Sequence, residues 1–143
     1  MLENIHNTTH HAWLTYLDIV DSTNNYAMQA IQDGLAQHGN VIMAHHQSMG
    51  KGQRGKQWQS IAGESVAMSL ILNHETLVDI FYLSFLIPVA VRHVLQDYMP
   101  ECQVCIKWPN DIYVNDKKIA GILIENVFRG MTVKHSVIGV GNR

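Results

Sequence analysis

The stretch Lys107–Asp111 (KWPND), followed by Lys117–Glu125 (KKIAGILIE), decides the fold of this 143-residue chain. The proline of the first segment fixes its own φ and favours an extended conformation for the tryptophan before it. The asparagine and aspartate after it are therefore held in a defined corner. Between the two segments, Asn115-Asp116 is typical of a hairpin turn. Together they predict a β-hairpin that presents fixed polar groups, a lysine and a glycine.

Apolar runs and turn residues extend this pattern along the chain and predict two helices with seven strands. Asp21-Ser22-Thr23 offers N-caps for an amphipathic helix that reaches Leu35, and 77–99 has helical periodicity, with Pro88 predicting a kink or a break. The predicted strands are 13–20, 40–46, 66–72, 104–108, 112–114, 119–126 and 132–140. Because the last strands follow one another through short turns, we expect an α+β fold with a mixed, largely antiparallel sheet and flanking helices.

Composition indicates a single globular domain over 1–143. Apolar residues make up 47% of the chain and charged residues 15%, and the net charge of -2 gives no electrostatic reason to expect DNA as a partner. No secretory signal is visible at the N-terminus, and the most apolar stretch, 80–91, is too short to cross a bilayer. We therefore expect a soluble cytoplasmic protein without a membrane partner.

The cysteine and histidine patterns do not predict a metal site. Cys102 and Cys105 form a CxxC, but they lead into a predicted strand rather than a helix, and we expect them to be reduced. His10-His11 and His45-His46 are adjacent pairs. Neighbours on a strand point to opposite faces, so neither pair readily ligates one metal ion.

The segment Gly50–Lys56 (GKGQRGK) combines three glycines with three cations. Glycines allow close backbone approach, and the cations provide charge for a phosphate or carboxylate. A solvated basic turn is the alternative. The spacing almost fits a P-loop, but Gln57 stands where a serine or threonine would bind magnesium, and no convincing helix follows.

Four motifs in order carry a close resemblance to the catalytic domain of biotin protein ligases. They are Asp21–Asn24 (DSTN), Gln47–Trp58 (Q-x2-GKGQRGKxW), KWPND and KxAGILIE, and they cover the chain from Asp21 to Glu125. The resemblance implies the fold shared by class II aminoacyl-tRNA synthetases and biotin ligases. It also implies an enzyme that activates biotin with ATP.

The resemblance implies specific roles for residues of these motifs. The catalytic residues would be Lys118, Arg54 and Lys51. The biotin-binding residues would be Ser22, Thr23, Asn24, Gln47, Gly50, Lys51, Gly52, Gln53, Trp58, Lys118, Gly121 and Gly139. The nucleotide-binding residues would be Arg54, Gly55, Lys56, Asn110, Asp111, Gly141 and Asn142.

The chain departs from the family pattern in two places. Lys51, Gln53 and Lys56 stand where the family often has arginine, and lysine lacks the bidentate fork of arginine. The C-terminal VIGVGNR stops within a motif that the family usually continues as GxGxNxN. We therefore expect the first part of a longer catalytic domain. Because no N-terminal winged helix precedes it, we do not expect the DNA-binding repressor role of some relatives.

The implied activity is formation of biotinyl-5′-AMP from biotin and Mg-ATP, then transfer of biotin to a lysine of a biotin carboxyl carrier protein. ATP and Mg²⁺ would be the cofactors, no tightly bound metal is expected, and a homodimer is possible. Two alternatives stay open. One is a lipoate or octanoyl transferase relative on the same fold, and the other is a non-catalytic biotin or adenylate binder.

Overall fold

The computed structural model describes residues 9–75 and 80–142. They form eight strands, two α-helices and one 3-10 turn. In chain order these are β1 (Thr9–His10), β2 (Leu14–Val20), α1 (Thr23–Gln32), β3 (Val41–Gln47), the 3-10 turn Gln53–Gly55, β4 (Ala67–Asn73), α2 (Ile80–Tyr98), β5 (Val104–Lys107), β6 (Asp111–Val114), β7 (Lys117–Arg129) and β8 (Thr132–Asn142).

All eight strands belong to one sheet with the order β1-β2-β3-β4-β8-β7-β6-β5. Only β2 and β3 pair in parallel, through the α1 crossover, and the other described pairs are antiparallel. The predicted mixed, largely antiparallel sheet with two helices is therefore confirmed. The seven predicted strands correspond to β2 through β8, whereas the two-residue β1 was not predicted because a strand that short has no periodicity to detect.

The two helices lie on opposite faces of the sheet. Val137 belongs to the core beneath α1, with Ile71 and Ala27, whereas its neighbour Ile138 belongs to the core beneath α2. Because successive residues of a strand point to opposite faces, this switch assigns one helix to each side. Both residues are almost fully buried. Strand β8 lies between β4 and β7 and joins the two cores.

The hairpin β6–β7 has the turn that the sequence predicts. Asn115 and Asp116 have φ values of 46° and 66° and connect Val114 to Lys117. Positive φ at both central residues is the geometry of a type I′ turn, whose twist matches that of the strands it joins. A bulge between Ile112 and Tyr113 shifts the register, after which Asp111 faces Gly121. The turn thus places the corner of KWPND beside the glycine of KxAG.

Helix α1 is shorter than predicted and begins differently. Ser22 occupies the N-cap position but makes no side-chain capping hydrogen bond, and the Asn25 amide donates instead to Asp21 at 2.5 Å. The helix ends at Gln32, and Leu35 is 73% exposed. Gly34 follows with a φ of 71°, a conformation that glycine adopts without a Cβ penalty and that ends helices. The predicted extension to Leu35 and the predicted side-chain cap are both wrong.

Helix α2 runs without interruption through Pro88, so the predicted break is wrong, while 77–79 lie outside the described residues. Phe85 packs against Phe81 and against Trp108, at centroid distances of 4.9 and 5.2 Å. The helix is long and apolar enough to cross a membrane by length and composition alone. The argument that the apolar stretch is too short is therefore wrong, although one such helix is weak evidence for a span. The cytoplasmic location stays a prediction.

Three histidines meet at the end of the sheet where β4 leaves it. The His74 imidazole is hydrogen-bonded to the buried Ser136 hydroxyl at 2.8 Å, and His135 is hydrogen-bonded to Asn73 at 2.9 Å. Burial lowers the pKa of His74 below its usual 6.5, and the imidazoles of His135 and His38 lower it further. The folded state therefore favours neutral His74.

We predict that this cluster makes folding sensitive to acid. Above pH 6.5 both the folded and the unfolded chain hold neutral His74. As the pH falls below that value, the unfolded chain binds the proton more readily, so stability is lost between 6.5 and the lower folded pKa. His74→Gln should flatten the decrease in melting temperature between pH 7.5 and 5.5. His93→Gln, at an exposed site on α2, is the control. Equal slopes in the two variants would contradict the prediction.

Candidate ligand-binding site

A cavity of about 360 Å³ opens on the α1 face of the sheet, between the first turn of α1 and the loop 50–58. Its floor is formed by the parts of β7 and β8 that lie beyond the N-terminal end of α1. The lining residues are Ser22, Thr23, Asn24, Gln47, Lys51, Gly52, Gln53, Arg54, Lys56, Gln57, Trp58, Met68, Pro109, Asn110, Asp111, Lys118, Gly121, Ile122, Leu123, Gly139, Val140 and Gly141.

Missing side chains on two neighbouring strands create the floor of this cavity. Gly121 of β7 and Gly141 of β8 are paired in register, and the indole of Trp58 lies against both. A Cβ on Gly121 would come within 2.7 Å of Trp58 Cζ3, and one on Gly141 within 2.5 Å of Trp58 Nε1. Because real Cβ atoms do not approach neighbours so closely, alanine at either position would displace the ring. The glycine pair therefore sets where the indole lies, and Trp58 as a whole is only 9% exposed.

A chain of buried hydrogen bonds fixes the polar wall of the cavity. The Ser69 hydroxyl lies 2.5 Å from Asn24 Oδ1 and 2.7 Å from Thr23 Oγ1. Gln47 Oε1 accepts hydrogen bonds from the Thr23 backbone N–H at 2.8 Å and from its hydroxyl at 3.2 Å. All four side chains are buried. Since buried polar groups are costly unless paired, each amide is held in one orientation.

This orientation decides what Gln47 presents to a ligand. Its Oε1 is occupied by Thr23, so its NH₂ group is the end that can donate. The Nε2 atom lies beside Gly50, where an added Cβ would come within 3.1 Å of it. Gly139 likewise leaves room for the Asn24 amide, since a Cβ there would lie 2.5 Å from Asn24 Oδ1. The wall thus offers oriented, uncharged hydrogen-bonding groups.

The loop 50–58 closes on itself above this wall. The Gly50 carbonyl accepts from the Trp58 N–H at 2.7 Å, and the Lys56 carbonyl accepts from the Gly52 N–H at 2.7 Å. Arg54, at the tip, has a φ of 55°, which is uncommon for a residue other than glycine. Such a backbone conformation costs free energy and is often retained at binding sites. The cations of this loop, Lys51, Arg54 and Lys56, all line the cavity.

Two lysines that line the cavity are paired with carboxylates. Lys118 Nζ lies 2.7 Å from Asp111 Oδ1 and 5.2 Å from the centre of the Trp58 ring. Lys51 Nζ lies 3.2 Å from Glu125 Oε1. Both pairs are partly exposed. Each carboxylate balances the charge of one lysine, whereas Arg54 and Lys56 add further positive charge to the lining.

Most of the residues predicted for the site line one cavity, although their roles are not tested by this placement. The exceptions are Gly50, Gly55 and Asn142. Gly50 is buried beside Gln47, which does line the cavity, and Gly55 is at the loop tip with a φ of 74°. The Asn142 side chain instead accepts a hydrogen bond from the Val66 backbone, which closes the start of β4.

The KWPND corner has structural contacts that sequence reasoning did not anticipate. Its Trp108 packs on Phe85 of α2, outside the cavity lining. The Asn110 amide donates to the Ile122 carbonyl at 3.3 Å, and the Ile122 N–H donates to the Asn110 carbonyl at 2.8 Å. Trp108 therefore contributes to the packing between this corner and α2. Its asparagine and aspartate do reach the cavity.

Sequence reasoning missed two residues that organise the site. Ser69 is a fully buried hydroxyl in a segment, 66–72, that is otherwise apolar, and that exception to the pattern was the available signal. Glu125 ends the KxAGILIE motif but was not assigned a role. Its carboxylate accepts from Asn24 Nδ2 at 2.8 Å as well as pairing with Lys51.

Comparisons with known proteins agree with this geometry. Residues 16–142 match the Biotin/lipoate A/B protein ligase family. The chain is 34% identical over 126 residues to the bifunctional ligase/repressor BirA of Escherichia coli (strain K12), covering 87% of this chain and 38% of that protein. It is 33% identical over 123 residues to the biotin–[acetyl-CoA-carboxylase] ligase of Paracoccus denitrificans, covering 85% of this chain and 50% of that protein.

A solved structure extends the likeness to three dimensions. The biotin acetyl coenzyme A carboxylase synthetase from Helicobacter pylori, with bound biotinylated ATP, superposes with a TM-score of 0.71 at 31% identity. The match covers 91% of this chain and 60% of that one. The fold predicted from the motifs, that of biotin ligases and class II aminoacyl-tRNA synthetases, is thereby confirmed. The chain spans 38%, 50% and 60% of the lengths of these three proteins, respectively.

We predict that Gly121→Ala dislodges the Trp58 indole. The added methyl group would overlap the ring, and overpacking of this kind costs about 1–3 kcal/mol. Trp58 is the buried one of the three tryptophans, since Trp13 and Trp108 are 58% and 49% exposed. The variant should show red-shifted tryptophan emission and stronger quenching by acrylamide.

A matched control comes from the next glycine on the same floor. Gly139→Ala would meet Asn24 rather than Trp58, so it should leave the emission close to that of the parent protein. Trp58→Phe removes this fluorophore and so shows which part of the emission comes from Trp58. Unchanged emission and quenching in Gly121→Ala would show that the ring does not rest on this glycine.

Proposed function

We propose that this chain, which belongs to the Biotin/lipoate A/B protein ligase family, carries the biotin- and ATP-binding site of a biotin protein ligase. The proposed reaction is ATP-dependent formation of biotinyl-5′-AMP, followed by transfer of biotin to a lysine of a biotin carboxyl carrier protein. The observation that carries the proposal is the cavity itself. Its lining combines an oriented, uncharged polar wall with an array of cations.

The polar wall suits the ureido ring of biotin. That ring is neutral and has one carbonyl acceptor and two N–H donors. The Gln47 NH₂ group can donate to the carbonyl, and the hydroxyls of Ser22 and Thr23 lie on the same wall. Trp58 provides an apolar surface for the thiophane ring and the aliphatic tail. We infer that Gln47, Ser22, Thr23, Asn24 and Trp58 bind biotin, with its carboxylate directed toward Lys118.

The cationic side of the cavity suits the phosphates of ATP. Lys51, Arg54 and Lys56 come from the loop, and Asn110 with Asp111 comes from the KWPND corner. Backbone N–H groups in glycine-rich loops and cationic side chains are common phosphate ligands. Asp111 is the carboxylate in the described lining. Mg²⁺ commonly binds one or two carboxylates together with the phosphates of its nucleotide, so Asp111 fits that ion, which would neutralise phosphate charge.

In the first step the biotin carboxylate attacks the α-phosphorus of ATP. A carboxylate oxygen forms a bond to the α-phosphorus. The bond between this phosphorus and the oxygen that bridges it to the β-phosphorus breaks, and pyrophosphate leaves. Negative charge builds on the phosphoryl oxygens during this exchange. Lys118 is placed to stabilise that charge, because its ammonium group is fixed between Asp111 and the Trp58 ring before the substrates arrive. Preorganised charge of this kind lowers the barrier without a cost for reorientation.

In the second step the amine of an acceptor lysine attacks the biotinyl carbonyl and releases AMP. The mixed anhydride is reactive toward water, so the site must shield it between the two steps. Trp58 and the loop 50–58 cover the cavity from one side and can supply that shielding. The relative from Paracoccus denitrificans is a biotin–[acetyl-CoA-carboxylase] ligase, which supports a biotin carboxyl carrier protein as the proposed acceptor.

Lipoate is the competing substrate within the same family. Its dithiolane ring cannot form the hydrogen bonds that a ureido group forms. Binding it here would leave the buried amide of Gln47 without a ligand partner, and a buried unpaired polar group costs about 1–3 kcal/mol. The polar wall therefore supports biotin over lipoate.

We predict that Lys118→Met slows adenylate formation far more than Lys117→Met. Methionine keeps much of the bulk of lysine but removes its charge and its hydrogen bonds. Loss of one donor to the transition state in an enclosed site typically costs about 3–4 kcal/mol, a rate decrease of roughly a hundredfold to a thousandfold. Biotin-dependent exchange of labelled pyrophosphate into ATP measures this step.

Lys117 is a matched control because it precedes Lys118 on the same strand, is exposed and does not line the cavity. The assay should use a protein that shows exchange in its parent form. Equal exchange rates in the two variants would remove Lys118 from the chemistry. No exchange with biotin in the parent protein, alongside tight biotin binding, would indicate a binder without catalytic activity.

A further inference from the structure

Glu125 is a partly buried carboxylate at the edge of the cavity that the reaction outlined above does not use. It lies on β7, four residues after Gly121 and on the same face of the sheet, because alternate residues of a strand share a face. It pairs in register with Val137, which belongs to the core beneath α1. The carboxylate therefore stands where the apolar core ends and the binding site begins.

Two parts of the site meet at this one side chain. Asn24 Nδ2, from the first turn of α1, donates to Glu125 Oε2 at 2.8 Å. Lys51 Nζ, from the loop, lies 3.2 Å from Glu125 Oε1. The other end of the Asn24 amide is held by Ser69. The loop is thereby tied to the buried polar wall through the two oxygens of a single carboxylate.

The ion pair has a direct consequence for anion binding. Lys51 is 42% exposed and belongs to the loop that covers the cationic end of the cavity. A phosphate that enters the cavity must compete with Glu125 for the Lys51 ammonium group. A partly exposed pair of this kind is weak, so an anion carrying several charges can displace the carboxylate.

We propose that Glu125 is a positioning residue that acts as an electrostatic latch: it holds Lys51 and the loop 50–58 when the site is empty, and releases Lys51 to the phosphates of the ligand. This inference rests on the proposed function for the identity of the anion. The ion pair by which Glu125 holds Lys51 and the loop does not depend on the proposed function. Anion binding therefore opens an internal ion pair and makes a new one in the same step.

Glu125→Gln separates the two contacts. The glutamine carbonyl can still accept from Asn24, but its neutral amide no longer holds the Lys51 ammonium group. Loss of the latch should make the variant bind inorganic pyrophosphate more tightly, by roughly twofold to fivefold. A residue with only a structural role would not behave in this way, because its loss would weaken binding. Glu125→Leu, which removes both contacts, should also weaken binding of the neutral methyl ester of biotin.

A second measurement needs no ligand. Trypsin cleaves after Lys51 and Arg54, and a released loop should be cleaved roughly twofold to fivefold faster in Glu125→Gln than in the parent protein. Lys51→Gln removes the same ion pair from the other side and should accelerate cleavage after Arg54 equally. Combining the two substitutions should give no further acceleration. Glu101→Gln, at an exposed turn, is the charge-matched control.

The outcomes separate the latch from the proposed function. Faster cleavage and tighter pyrophosphate binding in Glu125→Gln support the latch. Parent-like cleavage, or weaker pyrophosphate binding, would overturn it. If the parent protein binds neither pyrophosphate nor biotin, the proposed function fails while the cleavage test still decides the latch. If Glu125→Gln does not fold, Lys51→Gln decides it, since unchanged cleavage after Arg54 would overturn the proposal.

Discussion

The contact of the Trp58 indole with the paired glycines Gly121 and Gly141 is the constraint on which the site depends. Without side chains at these two paired positions, the sheet leaves room for the Trp58 indole against its backbone. This aromatic ring forms one wall of the cavity. Trp58 in turn anchors the loop 50–58, because its backbone N–H donates to the Gly50 carbonyl and closes the loop. Because Gly121 and Gly141 lack side chains, the apolar Trp58 ring and the cationic loop can lie together.

The two faces of the sheet differ in how far their apolar cores extend. The side beneath α2 is filled with apolar side chains from β5 to β8, and the side beneath α1 is filled only as far as that helix extends. Beyond the first turn of α1, Val137 gives way to Gly139 and Gly141 on the same face. The site is therefore an interruption of the core, built on rigid strands. Rigid support matters for chemistry that requires two substrates to be aligned.

The sequence predicted those parts of the fold that depend on residues adjacent in the chain. The type I′ turn at Asn115-Asp116 and the KWPND corner follow from residues that are adjacent in the chain. The Ser69 contact with Asn24 and the Glu125 contact with Asn24 could not be predicted in this way. They join residues 45 and 101 positions apart, and they depend on the register of strands that the sequence does not specify. Most of the residues that the family resemblance proposed for the site line one cavity, but only the strand pairing gives their orientation.

Calorimetric titration of this chain with biotin tests the central claim most directly, because the claim is that an oriented polar wall beside Trp58 recognises a ureido ring. The account predicts saturable binding of biotin, little or no binding of lipoate, and a large loss of biotin affinity in Gln47→Leu, which removes the donor but keeps an apolar side chain of similar size. A negative heat capacity change should accompany binding as the thiophane ring and tail are buried. Binding of lipoate in preference to biotin, or biotin binding that Gln47→Leu leaves unchanged, would contradict the account.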